Sequence, residues 1–293
     1  MDGRHPQGRP KDYLRPDRRG SWLFRPGAQL AKYSAVAGVT TRSNMAYLAD
    51  FFLRGIFLVI VMFVFFQLWR TTYSATGEDK IGGFSLREMI WYLAMTEALI
   101  GCFPRLTVVI DEQVKSGQLA YYLCRPYSYP LYLLSTYFGE IVVRLPVNLL
   151  IAGGMAFLSV GPLPFRPETI PGLALAITLG FGLNFTIAAA IGLLAFWFED
   201  TGSFYLLYSR LLMIFGGMLI PLDVFPTAIR RIALALPTNL ILYGPARLFV
   251  GHGAGAAEIW RLLGRQALWL GLLWLGLVGL YRLGVKRVNV QGG

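Results

Sequence analysis

Six long apolar blocks, separated by mostly short polar connections, constrain this chain more than any other feature. They cover roughly residues 46–69, 86–103 with a continuation beyond Pro104, 129–160, 170–198, 203–221 and 266–281. A helix needs about 20 largely apolar residues to cross the ~30 Å hydrocarbon core, where every backbone polar group must be paired within the protein. The expected fold class is therefore all-α: a polytopic membrane protein with six transmembrane helices. Charged residues make up only 15% of the 293 positions, against about 25% in a soluble domain. No separate soluble domain is expected.

The formal net charge of +11 has a topological use. The charges concentrate outside the apolar blocks and no basic-aromatic recognition motif accompanies them, so nucleic acid is not an expected partner and lipid is. With the N-terminus inside, the inner segments hold fifteen Lys and Arg and the outer segments nine, and basic loops are retained on the cytoplasmic side. Both termini are placed there. The first 45 residues carry nine of these cations together with Asp2, Asp12 and Asp17, too long and too polar a stretch for a secretory signal. The organisation expected is a flexible basic tail over 1–26, a membrane domain over 27–287 and a short tail over 288–293. Between Gly27 and Met45, Leu30, Tyr33 and Ala37 recur at helical spacing opposite Lys32 and Ser34. An inner interfacial helix and an ordinary juxtamembrane linker both fit this pattern.

Two connections carry information. Residues 111–126 read DEQVKSGQLAYYLCRP, two short helical pieces divided at Gly117 and stopped by Pro126, a segment on which a partner can dock or which simply lies at the interface. Residues 222–251 are too apolar for an open loop, yet Pro221, Pro226, Pro237, Gly244 and Pro245 punctuate the region. Two pieces, 227–236 and 238–250, are read as a re-entrant outer hairpin whose broken backbone is shielded by protein. The rival reading is a seventh and an eighth span, for which neither piece is long enough.

Catalytic motifs are lacking. The sequence has no GxxxxGK[ST] phosphate loop, its two histidines are His5 and His252, and its two cysteines, Cys102 and Cys124, are expected to be free thiols. No metal site, cofactor or nucleophile is expected in this chain. Within the apolar blocks stand Asp50, Arg54, Glu97, Glu140, Arg144 and Arg210. A charge at a helix centre costs about 2.5–3.5 kcal/mol or more, so each needs a partner or water. Glu140 and Arg144 are four apart and can satisfy each other, or they line a hydrated path. Glu97 and Arg210, opposite in sign on different spans, are expected to pair across helices.

The arrangement resembles the ABC transporter type-2 permeases, exporters with six spans, a cytoplasmic interfacial helix before the first and a re-entrant outer hairpin before the last. Three stretches carry the likeness. Residues 112–126 contain an acidic residue, a Gly-x-Leu and a Leu-x-x-Pro; PLDVFP at 221–226 is followed by Leu236-Pro237 and Pro245; and the spacing agrees from about Gly27 to Lys286. The resemblance implies that 111–123 contains the coupling helix seated in an ATPase subunit. Asp111, Glu112 and Lys115 would be its polar groups, Gly117 its bend, and Val114, Leu119 and Leu123 its apolar contacts. It further implies two copies of a separately encoded ABC ATPase that handles ATP and magnesium, and a second permease chain, identical or related. Substrate would pass between the first, second and fifth spans, out of a bacterial cytoplasmic (inner) membrane. A rival is an ion-coupled secondary transporter using Glu97, Glu140 and Arg210; the absence of a repeated half with matching broken helices counts against it. A membrane enzyme lacks a polar catalytic cluster, and a passive scaffold would tolerate scrambling of 111–123.

Overall fold

Blocks rich in Leu, Phe, Ile and Ala, interrupted at Pro and Gly, form helices that stop where those breakers stand. The computed structural model describes residues 26–45, 48–125, 127–164, 167–252 and 255–291, without the side chains of 26–30, 48–54 and 288–291. Residues 1–25 of the expected 1–26 tail, Pro126 and the side chains of Leu30, Asp50 and Arg54 thus lie outside the description, while Pro26 already begins a helix. Among the described residues there is no strand, only an isolated bridge between Ile81 and Phe84.

Eleven α-helices are described: α1 (Pro26–Met45), α2 (Leu48–Thr76), α3 (Leu86–Ile100), α4 (Leu106–Lys115), α5 (Gln118–Leu123), α6 (Tyr129–Val160), α7 (Ile170–Leu193), α8 (Gly202–Phe215), α9 (Thr227–Ala235), α10 (Tyr243–Phe249) and α11 (Ala256–Gln291). Four stretches are long and apolar enough to cross a membrane: Gly55–Thr76, Tyr129–Val160, Pro167–Phe196 and Ala256–Arg287. The bent pair α9–α10, broken by 76°, makes a fifth if it counts as one span. The second and fifth apolar blocks fall short, giving helices of 15 and 14 residues. Pro104, which lacks an N–H and biases Phe103 away from helical angles, follows the end of α3. Gly217 at φ +70° turns the chain after α8. The last helix is longer than its apolar block. It carries Arg261 and Arg265 at one end and Arg282, Lys286 and Arg287 at the other.

The packing centres on α7, which is 61% buried over its most apolar window, against 22% or less for the other three long stretches. One group places α4, α10 and α11 around α7; the other places α1, α2 and α3 around α6. Phe103 against Phe181 and Tyr137 against Phe185, both edge-on, join them. Between helices in lipid, van der Waals fit and hydrogen bonds take the place of a hydrophobic drive, so close approach matters. A Cβ on Gly192 would come within 2.8 Å of Ile110, which is how α4 lies tightly on α7. Outward-facing residues are large and apolar: Phe57, Ile60 and Val64 on α2, and Leu268, Leu272 and Leu275 on α11 are at least half exposed. Such continuous apolar surfaces need a non-aqueous environment.

Helix α1 follows α6 upward from its start. The Ser128 amide donates to the Tyr33 hydroxyl at 2.9 Å, and the Thr41 hydroxyl donates to the Gly139 carbonyl at 3.0 Å. At 32 residues, α6 is about 48 Å long, longer than the ~30 Å hydrocarbon core, and α1 accompanies its first half.

Candidate functional site

The segment expected to dock a partner forms a short helical elbow. Helix α4 ends at Lys115 with Ser116 as its cap, Gly117 takes the left-handed conformation at φ +73° and ψ 0°, and α5 follows. A residue with a Cβ pays about 1–2 kcal/mol in that conformation, and the open space around Gly117 makes the backbone angle alone the reason for glycine. Three hydrogen bonds fix the elbow to the body. Thr107 donates to the Ala188 carbonyl of α7 at 3.0 Å, Tyr129 of α6 donates to Gln113 Oε1 at 2.7 Å, and Thr201 donates to Asp111 Oδ1 at 2.8 Å. Lys115 sits 2.6 Å from the other oxygen of Asp111. At the same end, Asp200 accepts from the Ser203 hydroxyl and the Gly202 amide at the start of α8. Those bonds hold its carboxyl below the usual carboxylate range.

The structure divides the predicted coupling residues into two sets. Glu112, Lys115 and Gly117 are exposed, together with Ser116, Gln118 and Tyr121, and Arg125 lies 4.2 Å above the Tyr121 ring. Leu119, by contrast, is 1% exposed and belongs to this chain's own core, against which Val114 and Leu123 also pack. Leu119 therefore corrects the expectation of an apolar contact to a partner. As the second residue of this six-residue helix, it faces the body while Gln118 and Tyr121 face away.

The charges within the apolar blocks behave differently from one another. Glu140 and Arg144 form the expected i,i+4 ion pair on α6, and Arg144 also donates to the Phe103 carbonyl at 3.3 Å. Glu97 and Arg210 do not pair, contrary to expectation. Glu97 is 6% exposed, with one carboxylate oxygen lacking any hydrogen-bond partner among the described residues. Arg210 is exposed and among the described residues reaches only Met213 Sδ at 3.6 Å. The reason is rotational: Tyr208 and Leu212 are the buried side of α8, and Arg210, two residues from each, points away from it.

The prolines around the bent pair α9–α10, expected to form a hairpin, occupy positions where a missing N–H is harmless. Pro221 and Pro226 precede a short 3₁₀ turn and α9, Pro237 begins another 3₁₀ turn, and Pro245 lies in the first turn of α10. Sequence reasoning missed what holds this region together. Asp223, within PLDVFP, forms an ion pair with Arg230, accepts from the Tyr243 hydroxyl at 2.8 Å and lies 3.8 Å from Arg247 Nε. Tyr243 packs edge-on to Tyr92 of α3, whose hydroxyl donates to the Gly217 carbonyl, and Thr96 donates to the Met218 carbonyl at 3.2 Å. The acid and its two arginines are 7 and 24 residues apart, spacings with no local signal.

A second missed group lies deeper. Tyr208 donates to Asn184 Oδ1 at 2.7 Å, and Asn184 donates to the Tyr137 hydroxyl at 2.8 Å, linking α8, α7 and α6. Beside it a cavity of about 400 Å³ is lined by Phe103, Arg105, Asn184, Tyr205, Tyr208 and Met213. These groups offer hydrogen-bond donors and acceptors beside an apolar wall; the described residues contain no cluster of His, Cys, Asp and Glu able to hold a metal ion.

The family model described as ABC-2 family transporter protein matches residues 58–292, from early in α2 to beyond the end of α11. A search of curated protein sequences found no significant match. Most of the chain, including the elbow, the bent helix pair and the four longest apolar stretches except residues 55–57, falls within the family match, and this multi-pass membrane protein belongs to the ABC-2 transporter family.

Proposed function

We propose that the chain is the permease subunit of an ATP-driven ABC exporter, coupled through α4–α5 to a separate ATPase. The observation that carries this reading is the elbow itself. Leu106, Ile110 and Leu119 anchor inward while Glu112, Lys115, Gln118 and Tyr121 form an exposed outer ridge, and its hydrogen bonds reach α6, α7 and the start of α8. A push on that ridge is passed to three helices at once, a physical route for biasing a two-state membrane domain.

On this reading the chain crosses the membrane six times. Helix α3 with its continuation past Pro104 and α8 with the following Gly-rich turn make the two short crossings, and α9–α10 is a re-entrant outer hairpin. Helix α1 serves as the inner interfacial helix, and both termini are cytoplasmic at a bacterial inner membrane. Two ATPase copies bind ATP and magnesium, and a second permease, identical or related, completes the path. Arg210 supports a second chain: an exposed cation between Leu206, Leu207, Leu211 and Ile214, all exposed, is expensive against lipid and acceptable against a protein partner or water. The cavity beside Asn184 and Tyr208 supports a substrate route between the short crossings and α7.

The test is site-specific cross-linking in membranes. Cysteine at Gln118 or Lys115, in a background with Cys102 and Cys124 replaced by Ser, is expected to cross-link to a P-loop ATPase, whereas cysteine at Arg231 in the hairpin is not. Cross-linking of the hairpin position alone would reject the assignment. Glu97 favours a second reading, ion-coupled transport, because its buried carboxylate oxygen has no hydrogen-bond partner among the described residues. That reading requires transport to stop when the proton gradient is collapsed while ATP remains.

A further inference from the structure

Away from the elbow, four arginines converge on one cavity. It lies between the bent pair α9–α10 and the first turns of α11, has a volume of about 220 Å³, and is lined by Arg230, Arg247, Arg261 and Arg265 with His252 and Glu258. Glu258, Arg261 and Arg265 stand three and four residues apart, so they share one face of α11. Arg230 and Arg247 approach from α9 and α10.

The carboxylates at hand do not neutralise this group. Asp223 serves both Arg230 and Arg247 and also accepts from Tyr243. The Nε atoms of both arginines are buried with no hydrogen-bond acceptor among the described residues. Arg265 donates to the Leu234 carbonyl, which carries no charge, and Arg261 makes no hydrogen bond or ion pair with any described residue. Four guanidinium charges against Asp223 and Glu258 leave an excess of two. The Glu88 carboxylate, 3.6 Å from His252, removes at most one of them. Guanidinium groups left with free donors in a shared concavity are suited to a tetrahedral oxyanion, whose several oxygens accept from more than one fork at once. The volume is below the ~300–1,000 Å³ of sites for drug-sized ligands, which fits a single head group. Leu240 and Leu262 complete the wall, giving an apolar border to a cationic floor.

We propose that this cavity binds a phosphate group, presented either by an anionic phospholipid head group or as free phosphate. The assignment uses side-chain geometry alone and is independent of whether the chain exports and of which ATPase it binds. If the hairpin lies at the outer surface, the site meets head groups of the outer leaflet.

The full chain, purified with whatever subunits accompany it, is examined in nanodiscs and by native mass spectrometry. Three preparations are compared: phosphatidylcholine alone, phosphatidylcholine with phosphatidylglycerol, and phosphatidylcholine with added inorganic phosphate. Arg261→Gln is the test variant because no described contact depends on it, and Arg231→Gln, exposed and outside the cavity, is the control. Retention of phosphatidylglycerol that falls about ten-fold in Arg261→Gln and not in Arg231→Gln supports the site with lipid as its source. A rise in thermal stability with inorganic phosphate alone, lost in Arg261→Gln, supports it with free phosphate as its source. No retention and no stabilisation, or equal behaviour of the two variants, overturns it. The Arg261→Gln/Arg265→Gln double variant, expected to abolish either response, checks that a weak single effect is not masked by the neighbouring fork.

Discussion

The Thr201 hydroxyl donates a 2.8 Å hydrogen bond to Asp111 Oδ1 across 90 residues of sequence, tying the elbow to the start of α8. Thr201 is 1% exposed and the Asp111 side chain 17% exposed, so water replaces neither partner easily. A hydrogen bond to a charged group is worth about 1.5–3 kcal/mol. Thr201→Val is expected to lower thermal stability by about that amount and to reduce substrate moved per ATP hydrolysed in the reconstituted complex. Unchanged stability together with unchanged stoichiometry would show that this tie carries no load.

Gly117 tests the elbow through its backbone. Since a Cβ there meets nothing, substitutions should rank by tolerance of a positive φ: Gly best, Asn close behind, then Ala at about 1 kcal/mol, then Val. Cross-linking yield between α5 and the ATPase is expected to fall in that order. A ranking by side-chain volume instead would point to direct contact with a partner.

Leu119 and Lys115 separate folding from docking. Leu119→Ala removes a buried side chain and is expected to cost about 2–4 kcal/mol, seen as lower yield of folded protein in detergent. Lys115→Ala is expected to leave thermal stability within about 0.5 kcal/mol of wild type, as for other exposed positions, while weakening ATPase retention. If Leu119→Ala instead left folding intact and released the ATPase, its assignment to this chain's own core would be wrong.

For Glu140 and Arg144, reversing one charge should be worse than exchanging both. Glu140→Arg leaves two like charges in a poorly solvated place and is expected to destabilise by about 3 kcal/mol or more. The exchange Glu140→Arg/Arg144→Glu restores opposite charge but loses the donor to the Phe103 carbonyl, so recovery should be substantial and incomplete. Thermal unfolding of the two variants against wild type measures this. Equal damage from the single and double changes would favour a role tied to position.

Asp200 supplies a pH dependence with a fixed sign. Its carboxyl is held below the usual range, first by the Ser203 hydroxyl and then by the Gly202 amide. A depressed carboxylate stabilises the fold fully above its unfolded-state pKa and loses that contribution as pH falls through the folded-state value. The difference in Tm between wild type and Asp200→Ala is therefore expected to be flat near neutrality and to shrink below about pH 4. Cys102 and Cys124 form no disulfide, so redox conditions should not alter this profile.

Much of the architecture was legible in the linear chain. Breaks at Gly117, Pro226 and Pro237 appear where the residues demand them, and the i,i+4 pair of Glu140 and Arg144 forms as helical spacing dictates. Other features were not legible. Block length alone did not reveal that α3 and α8 stop at 15 and 14 residues. Apolar character suggested that Leu119 faces a partner, and opposite sign suggested that Glu97 meets Arg210. The knot at Asp223 and the Tyr137–Asn184–Tyr208 chain carried no local signal.

The sequence alone determined a helical membrane protein, because hydropathy, backbone breakers and i,i+4 spacing belong to contiguous residues and act before any tertiary contact exists. Only the tertiary structure decided the rotation of each helix about its axis and therefore which charges meet. That rotation is set by the fit of whole faces, such as Gly192 under Ile110 and Tyr208 with Leu212 turned inward. A single charged residue follows the face it stands on.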